Sequence, residues 1–258
     1  MNRFILLSFD IEEFDIPEEY GCVVNSKDKF TISRQGLISI ISLLESLDIT
    51  ATFFVTANFA IHHENLICQL AQKHEIASHG FYHSSFIISD LTKSKTTLEE
   101  ITGKPVTGYR MARLAQIDET EIKNAGYQYN SSMNPTYIPG RYNNFFKPRI
   151  PYYSHNILNI PVSVTPIIRF PLFWLSFKNL PLFLIKLASL ITIKTDSYLS
   201  LYFHPWEFTD ISTFPLPNFI KKYSGDAMLY RLENYLIWLK KQGKFITFSE
   251  FINSYYNK

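Results

Sequence analysis

Residues 75–83 read Glu-Ile-Ala-Ser-His-Gly-Phe-Tyr-His, and the first four of them predict a short strand that ends at a His-Gly turn. The β-branched and aromatic run 50–55 predicts an earlier strand. Between the two strands, Asn58 is a suitable N-cap for a helix over about residues 59–72. A strand–helix–strand unit of this kind indicates parallel strands with the helix outside the sheet.

The same alternation extends along the chain in both directions. Further strands are predicted at 3–9, 106–109, 197–203 and 245–248. Further helices are predicted at 33–47, 91–101, 224–242 and 249–256, and at 119–124 behind an Asp118 cap, while 134–155 has the composition of long loops. Repeated βα units predict an α/β fold in which one domain, residues 1–258, forms a closed or nearly closed barrel.

Composition excludes several classes of protein. Of 258 residues, 46% are hydrophobic and 19% are charged, which excludes global disorder. Lys and Arg number 25 against 23 Asp and Glu, a balance too even for a nucleic-acid-binding surface. Cys22 and Cys68 form no metal-binding pair, so we expect two buried thiols in a reducing compartment. The apolar run Phe4–Leu7 is too short for a signal peptide, which predicts a cytoplasmic protein.

Two carboxylates follow the first predicted strand. Side chains two positions apart in a strand share a face, so Asp10 and Glu12 can point into one site while Glu13 points away. Such a pair can serve as base and metal ligand, or as an acid and a base. The alternative is a solvated acidic loop.

Two histidines four residues apart lie in the second half of residues 75–83. His79 and His83 can chelate one metal ion if the chain turns between them, and Gly80 favours that turn. The alternative is two unrelated polar residues in a loop. His62 and His63 form a weaker pair, because neighbours in a helix point apart.

An arginine and a further histidine follow other predicted strands. Arg110 could pair with a carboxylate of the site or form an ordinary surface ion pair. His204, between a strand and Pro205, could act as a general acid. One end of a parallel barrel would gather all these side chains, and together they are the parts of a metal-assisted hydrolase.

These motifs resemble those of the polysaccharide deacetylases, carbohydrate esterase family 4. The resemblance extends from about Phe4 to Phe251, and its final motif, His204 to Glu207, is similar to that of a bacterial subgroup associated with exopolysaccharide and cell-surface glycan genes. The segments that carry it are 8–13, 51–55, 75–83, 103–110 and 201–207.

The resemblance implies a distorted (β/α)7 barrel, a catalytic domain that removes N-acetyl or O-acetyl groups from a sugar or glycan, with N-acetyl favoured. It implies Asp10 as catalytic base, Arg110 as the residue that orients it and His204 as general acid. It also implies that His79 and His83 bind one divalent ion. Zinc suits two imidazoles and a carboxylate best, and cobalt, nickel or iron could fill the same site.

Three positions depart from the family pattern. Ile11 stands where the family has its metal-binding aspartate, so we expect Glu12 to be the third ligand, ahead of Glu13. Met111-Ala112-Arg113 replaces a segment that usually contains proline, which predicts a changed groove floor. Asn130 stands where relatives often carry an aspartate that could tune the acid.

Two other functions stay open at this point. One is a metal-independent cyclic amidase of the allantoinase kind, and the other is an inactive glycan-binding protein on the same scaffold. The apolar segment 169–194 is interrupted by Lys178, Asn179 and Pro181, so we expect no membrane span. It could pack on the barrel or form an interfacial surface for peripheral membrane contact. The second case predicts exposure of Phe170, Leu172, Phe173, Trp174 and Phe177.

Overall fold

The computed structural model describes residues 3–255, and strands and helices alternate along most of it. The strands are β1 Phe4–Ile11, β2 Thr52–Val55, β3 Glu75–Ser78, β4 Gly108–Tyr109, β5 Tyr129–Asn130, β6 Tyr137–Ile138, β7 Tyr142–Asn143, β8 Tyr152–Ser154, β9 Ile157–Asn159, β10 Tyr198–Phe203 and β11 Lys244–Phe245. The helices are α1 Ser26–Ser46, α2 Ala57–His62, α3 Glu64–Lys73, α4 Ser89–Thr102, α5 Glu119–Asn124, α6 Trp174–Asn179, α7 Leu182–Asp196, α8 Asn218–Lys221, α9 Asp226–Leu239 and α10 Phe248–Tyr255. Three short 3-10 helices lie at Ile16–Tyr20, Ala112–Leu114 and Pro205–Phe208.

The main sheet curls into a distorted barrel. Its strands follow the order β10-β1-β2-β3-β4-β5-β9, all parallel, with β8 antiparallel outside β9 and β11 beside the start of β1. Beyond β9 the chain approaches β10, where Ser163 N donates to Ser200 O at 3.0 Å and Ser200 N donates to Ser163 Oγ at 2.9 Å. The predicted α/β fold, a distorted (β/α)7 barrel, is confirmed.

Successive side chains of β1 point alternately outward and inward. This alternation divides the core into two parts and places the polar side chains of the site inside the barrel. Ile5, Leu7, Phe9 and Ile11 point outward into the large apolar cluster beneath the helices. Phe4 and Leu6 belong to a smaller cluster inside the barrel, with side chains such as Phe54 and Phe248. The next two inward residues are the polar Ser8 and Asp10, so the barrel is apolar at its base and polar at the carboxyl ends of its strands.

Several helix and strand boundaries differ from the predicted ones, for local reasons. Helix α1 begins at Ser26 rather than 33, because Asn25 caps it by accepting a 2.8 Å hydrogen bond from Asp28 N. Thr56, not Asn58, caps the helix after β2, and that helix breaks into α2 and α3. The predicted loop region 134–155 contains the short strands β6, β7 and β8, and the final strand ends at Phe245.

The structure contradicts one prediction about burial and decides between two alternatives for another segment. Cys22 and Cys68 are only partly buried. In segment 169–194, Phe170 is partly buried and the four other members of the predicted exposed cluster pack into the core beside β10: Leu172, Phe173, Trp174 and Phe177. No helix among residues 3–255 is long and apolar enough to cross a membrane.

Candidate active site

The six side chains singled out in the sequence meet at one end of the barrel. Each comes from the carboxyl end of a strand, or from the turn that follows it, in β1, β3, β4 and β10. All six are at least nine-tenths buried, and all except Arg110, which lies behind Asp10, line one cleft: Asp10, Glu12, His79, His83, Arg110 and His204.

Glu12, His79 and His83 form a compact carboxylate–histidine cluster. Oε2 of Glu12 lies 3.2 Å from Nε2 of His79 and 3.0 Å from Nε2 of His83. Metal–ligand bonds of about 2.0–2.2 Å at tetrahedral angles separate ligand atoms by roughly 3.3–3.6 Å. One ligand atom from each residue lies within 4.8 Å of the others. The donor set therefore fits a divalent metal ion, with one coordination position left for solvent or substrate.

Each histidine is oriented through its other ring nitrogen. Nδ1 of His79 lies 2.9 Å from the carbonyl oxygen of Arg110, and Nδ1 of His83 lies 2.8 Å from Oδ1 of Asp15. These bonds leave both Nε2 atoms facing Glu12, which is how outer partners fix ligating imidazoles. Sequence reasoning missed Asp15. The signal was a fourth carboxylate, three positions after Glu12, on the chain that leaves the same strand.

The electrostatics of the cluster favour a cation between its members. Burial lowers the pKa of His83, but the negative charges of Glu12 and Asp15 outweigh burial and raise that pKa to about 10. Burial raises the pKa of Glu12, but the charges of His83 and His204 and hydrogen bonds from both cluster histidines hold it well below its usual range. A divalent ion would displace the proton from the His83 imidazole and would provide the positive charge that the Glu12 and Asp15 carboxylates favour.

Glu13 faces away from the cluster. Its Oε2 accepts a 3.0 Å hydrogen bond from the Thr56 hydroxyl, and its Oε1 accepts one from the Asn58 amide. The strand alternation that turns Asp10 inward therefore places Glu12, rather than Glu13, beside the two imidazoles.

Asp10 and Arg110 form a buried ion pair. Arg110 Nη1 lies 2.6 Å from Oδ1 of Asp10 and 2.9 Å from the Ser8 hydroxyl, and its Nη2 donates to the Ser131 hydroxyl at 2.9 Å. The guanidinium is fully buried and lies 3.9 Å above the Phe54 ring. Within residues 3–255, no group donates a hydrogen bond to Oδ2 of Asp10, so this oxygen can accept a proton in the cleft.

His204 lines the cleft at the carboxyl end of β10, the neighbour of β1 in the sheet. Its ring stacks on Trp206 with centroids 5.0 Å apart, and Trp206 Nε1 donates to Oε1 of Glu12 at 3.1 Å. Helix α1 packs closely against the following turn, since a Cβ on Gly36 would lie 1.8 Å from the carbonyl oxygen of Pro205. Burial lowers the pKa of His204, but the charges of Glu12 and Glu207 outweigh it and raise the pKa above its ordinary value.

Residues of the third motif line part of the cleft. Arg113 and Leu114 both have positive φ, 56° and 50°, and both line the cleft. Arg113 Nε lies 2.6 Å from Oε1 of Glu19, and its Nη2 lies 3.5 Å from Oδ2 of Asp15. The segment that replaces the family's proline-containing one thus contributes a charged side chain, Arg113, to the lining of the cleft.

The weaker histidine pair lies elsewhere. His62 stacks on Phe30 with ring centroids 4.0 Å apart, and its Nδ1 bonds to the carbonyl oxygen of Asn58. His63 packs against Phe59 with centroids 4.7 Å apart. Neither residue lines the cleft.

Comparisons with known proteins agree with this architecture. A structure from Mycobacterium smegmatis assigned to the polysaccharide deacetylases superposes with TM-score 0.66 at 16% identity, over 98% of this chain and 91% of that one. PuuE allantoinase gives 0.69 at 15%, over 99% and 91%. Wild-type BA3943 from Bacillus anthracis, a CE4 family pseudoenzyme, gives 0.53 at 12%, over 96% and 65%. At these identities the likeness shows a shared fold. No curated sequence matches the chain significantly.

The family model for polysaccharide deacetylases matches residues 28–130. That range contains His79, His83 and Arg110. Asp10, Glu12 and His204 lie outside the matched range, and the barrel brings them to the same cleft. The motifs and the family model agree: residues 28–130 of this chain are similar to the polysaccharide deacetylase family.

Proposed function

We propose that this protein is a metal-dependent deacetylase that hydrolyses the acetyl group of an N-acetylated sugar or glycan. The observation that carries the proposal is the meeting, in one cleft, of the Glu12, His79 and His83 cluster with Asp10 and His204. Zinc is the ion we expect, because two imidazoles and a carboxylate suit it. A role in cell-surface polysaccharide metabolism follows from the family resemblance.

The chain's own residues account for the proton transfers. A zinc ion held by Glu12, His79 and His83 would supply Lewis acidity and lower the pKa of a water molecule. Asp10 accepts the proton of the attacking water through Oδ2, while Arg110 holds Oδ1 and orients the carboxylate. As the acetyl carbon parts from the leaving nitrogen or oxygen, His204 protonates that atom, which retains the bonding electron pair.

Metal-dependent acetate release is the direct test of this proposal. We expect the zinc-loaded protein to release acetate from at least one N-acetylated substrate in a panel of nucleotide sugars, lipid-linked sugars and polymers. A chelator should abolish the release, and added zinc should restore it, because the activating ion sits on three protein ligands.

The same panel separates the alternatives. O-acetylated counterparts of each substrate measure the preference for nitrogen over oxygen. Hydrolysis of allantoin without metal would replace the deacetylase by a cyclic amidase. Zinc binding with no turnover on any member of the panel would favour an inactive glycan-binding protein.

We also propose peripheral contact with an anionic membrane, through a different face of segment 169–194 from the one first predicted. Helix α7 exposes an apolar stripe, which consists of Phe183, Leu184, Leu187 and Ile191. The start of α7 lies at the catalytic end, since α6 just before it places Trp174 5.3 Å from His204. No Asp or Glu occurs between Glu121 and Asp196, whereas Lys and Arg occur at 123, 141, 147, 149, 169, 178, 186 and 194. An apolar stripe on an acid-free segment suits an anionic lipid surface.

Vesicle co-sedimentation tests this contact. We expect binding to vesicles that contain phosphatidylglycerol and weaker binding to pure phosphatidylcholine. Replacing Phe183 and Leu187 together by serine should weaken binding at least tenfold, because burying one such side chain is worth roughly 1.5–3 kcal/mol. Ile61→Ser, which removes an exposed apolar side chain from α2, is the matched control. Equal binding by the double variant, or none by the wild type, would contradict the proposal.

A further inference from the structure

We propose that Glu207 and Lys178 form a buried ion pair that positions His204 for proton donation. This inference rests on the proposed deacetylase function. Glu207 and Lys178 are positioning residues, since His204 is the group that lines the cleft.

Glu207 holds His204 at two points. Oε1 of Glu207 accepts a 2.8 Å hydrogen bond from His204 N and lies 3.2 Å from His204 Nδ1. The short 3-10 helix Pro205–Phe208 closes this loop, so the carboxylate and the imidazole come from the same turn. A bond from Nδ1–H to Glu207 fixes the ring and leaves Nε2 facing the cleft, the arrangement a proton donor requires.

Lys178 fixes Glu207 from the far side. Its ammonium lies 3.4 Å from Oε2 of Glu207 and donates a 2.8 Å hydrogen bond to the carbonyl oxygen of Ile220. Both charged side chains are fully buried. Trp174 and Trp206 enclose the ammonium, with ring centroids 5.7 and 5.5 Å away.

A buried ion pair is a poor source of stability, because desolvation offsets most of its attraction. Two apolar residues of similar volume would serve packing equally well at this position. The pair does, however, place a fixed negative charge against His204. That charge favours the imidazolium, which is the form able to donate a proton.

Asn130 does not supply this charge. Its amide donates to Oδ1 of Asn159 at 2.8 Å, and its oxygen accepts hydrogen bonds from the backbone and hydroxyl of Ser132. The side chains of Asn130 and Asn159 are both neutral. The Asn130 amide makes these hydrogen bonds to Asn159 and Ser132. The carboxylate that contacts His204 is that of Glu207.

The effect of losing Glu207 on the reaction rate should depend on the basicity of the leaving group. When the acyl carbon–heteroatom bond breaks, its electron pair stays on the leaving atom, which takes the Nε2 proton of His204 and leaves a neutral imidazole. A weakly basic leaving group such as 4-nitrophenolate departs without that proton, whereas an alkoxide does not. Loss of Glu207 should therefore harm poor leaving groups selectively.

A leaving-group series tests the role without knowledge of the natural substrate. We expect Glu207→Gln, in the zinc-loaded protein, to lower kcat/KM for alkyl acetates by about 10²-fold or more. Its kcat/KM for 4-nitrophenyl acetate should stay within a few-fold of the wild type. Lys178→Met should also lower kcat/KM for alkyl acetates more than for 4-nitrophenyl acetate, but by a smaller factor than Glu207→Gln. Glu75→Gln, a change of carboxylate to amide at the opposite end of β3, should leave the dependence on leaving group unchanged.

Two readouts separate a positioning role from a structural one. Equal loss on every ester, or no loss on any, would overturn the inference. In the metal-free protein, ¹⁵N NMR should place a proton on Nδ1 of His204 in the wild type and show a change in Glu207→Gln, and unchanged imidazole shifts would also overturn it. Absence of ester hydrolysis by the zinc-loaded wild type would instead count against the proposed function, and the NMR result would still decide the inference.

Discussion

Asp10→Asn is expected to lower kcat/KM for acetate release by roughly 10²–10⁴-fold, the usual contribution of a general base. The amide oxygen can still accept the hydrogen bond that Arg110 donates to Oδ1 at 2.6 Å, so the buried guanidinium keeps a partner. The position of Oδ2, however, is taken by an NH₂ group, which cannot accept a proton from water. The loss should therefore lie in turnover rather than in folding.

Three measurements make this result interpretable. Acetate release gives the rate, circular dichroism reports the fold, and zinc content shows whether the cluster is still loaded. Normal fold and normal zinc content with turnover reduced by at least 10²-fold would support Asp10 as the base. Retention of more than about a tenth of the wild-type rate would remove Asp10 from that role.

The parts of the site that follow from local periodicity could be predicted from the sequence. Alternation along β1 sends Ser8 and Asp10 inward and leads to Glu12, because successive strand residues face opposite sides. The turn at Gly80, where φ is +87°, brings His83 back beside His79. These placements need only the order of strands and turns, which the pattern of the sequence already contains.

The partners of these residues could not be predicted in the same way. The segment that contains Asp15 has no periodic signal, and its contact with His83 joins positions 68 residues apart. Lys178 meets Glu207 only because α6 packs beside the turn after β10, and a lysine in an apolar segment gives no sign of burial. Long-range packing decides both contacts.

For a related reason, the sequence could not decide whether segment 169–194 packs on the barrel or forms an exposed apolar surface. Composition shows that a segment is apolar, but it does not show which side faces the core. Leu172 and Phe177 contribute to the core, whereas Phe183 and Leu187 on α7 are 68% and 53% exposed. The segment therefore both packs on the barrel and presents an apolar surface, on different residues from those first expected.

Glu12→Gln is expected to weaken zinc binding by more than about 100-fold, since loss of an outer partner of a ligand alone typically costs 10–100-fold. Glu12 supplies the only carboxylate oxygen, among the described residues, that lies within 3.2 Å of both His79 Nε2 and His83 Nε2. A neutral amide would also leave the ion with less compensating charge. Isothermal titration of the metal-free protein with zinc measures the effect directly and does not depend on a substrate.

Glu13→Gln is the matched control, because it makes the same change one position along the chain. Glu13 bonds Thr56 and Asn58 and stands outside the cluster, so this variant should bind zinc within a few-fold of the wild type even if its unfolding temperature falls. If Glu13→Gln loses zinc and Glu12→Gln keeps it, the carboxylate ligand has been assigned to the wrong residue. If both variants bind zinc as the wild type does, the ion binds elsewhere. That result would contradict the metal-dependent chemistry proposed for the cleft.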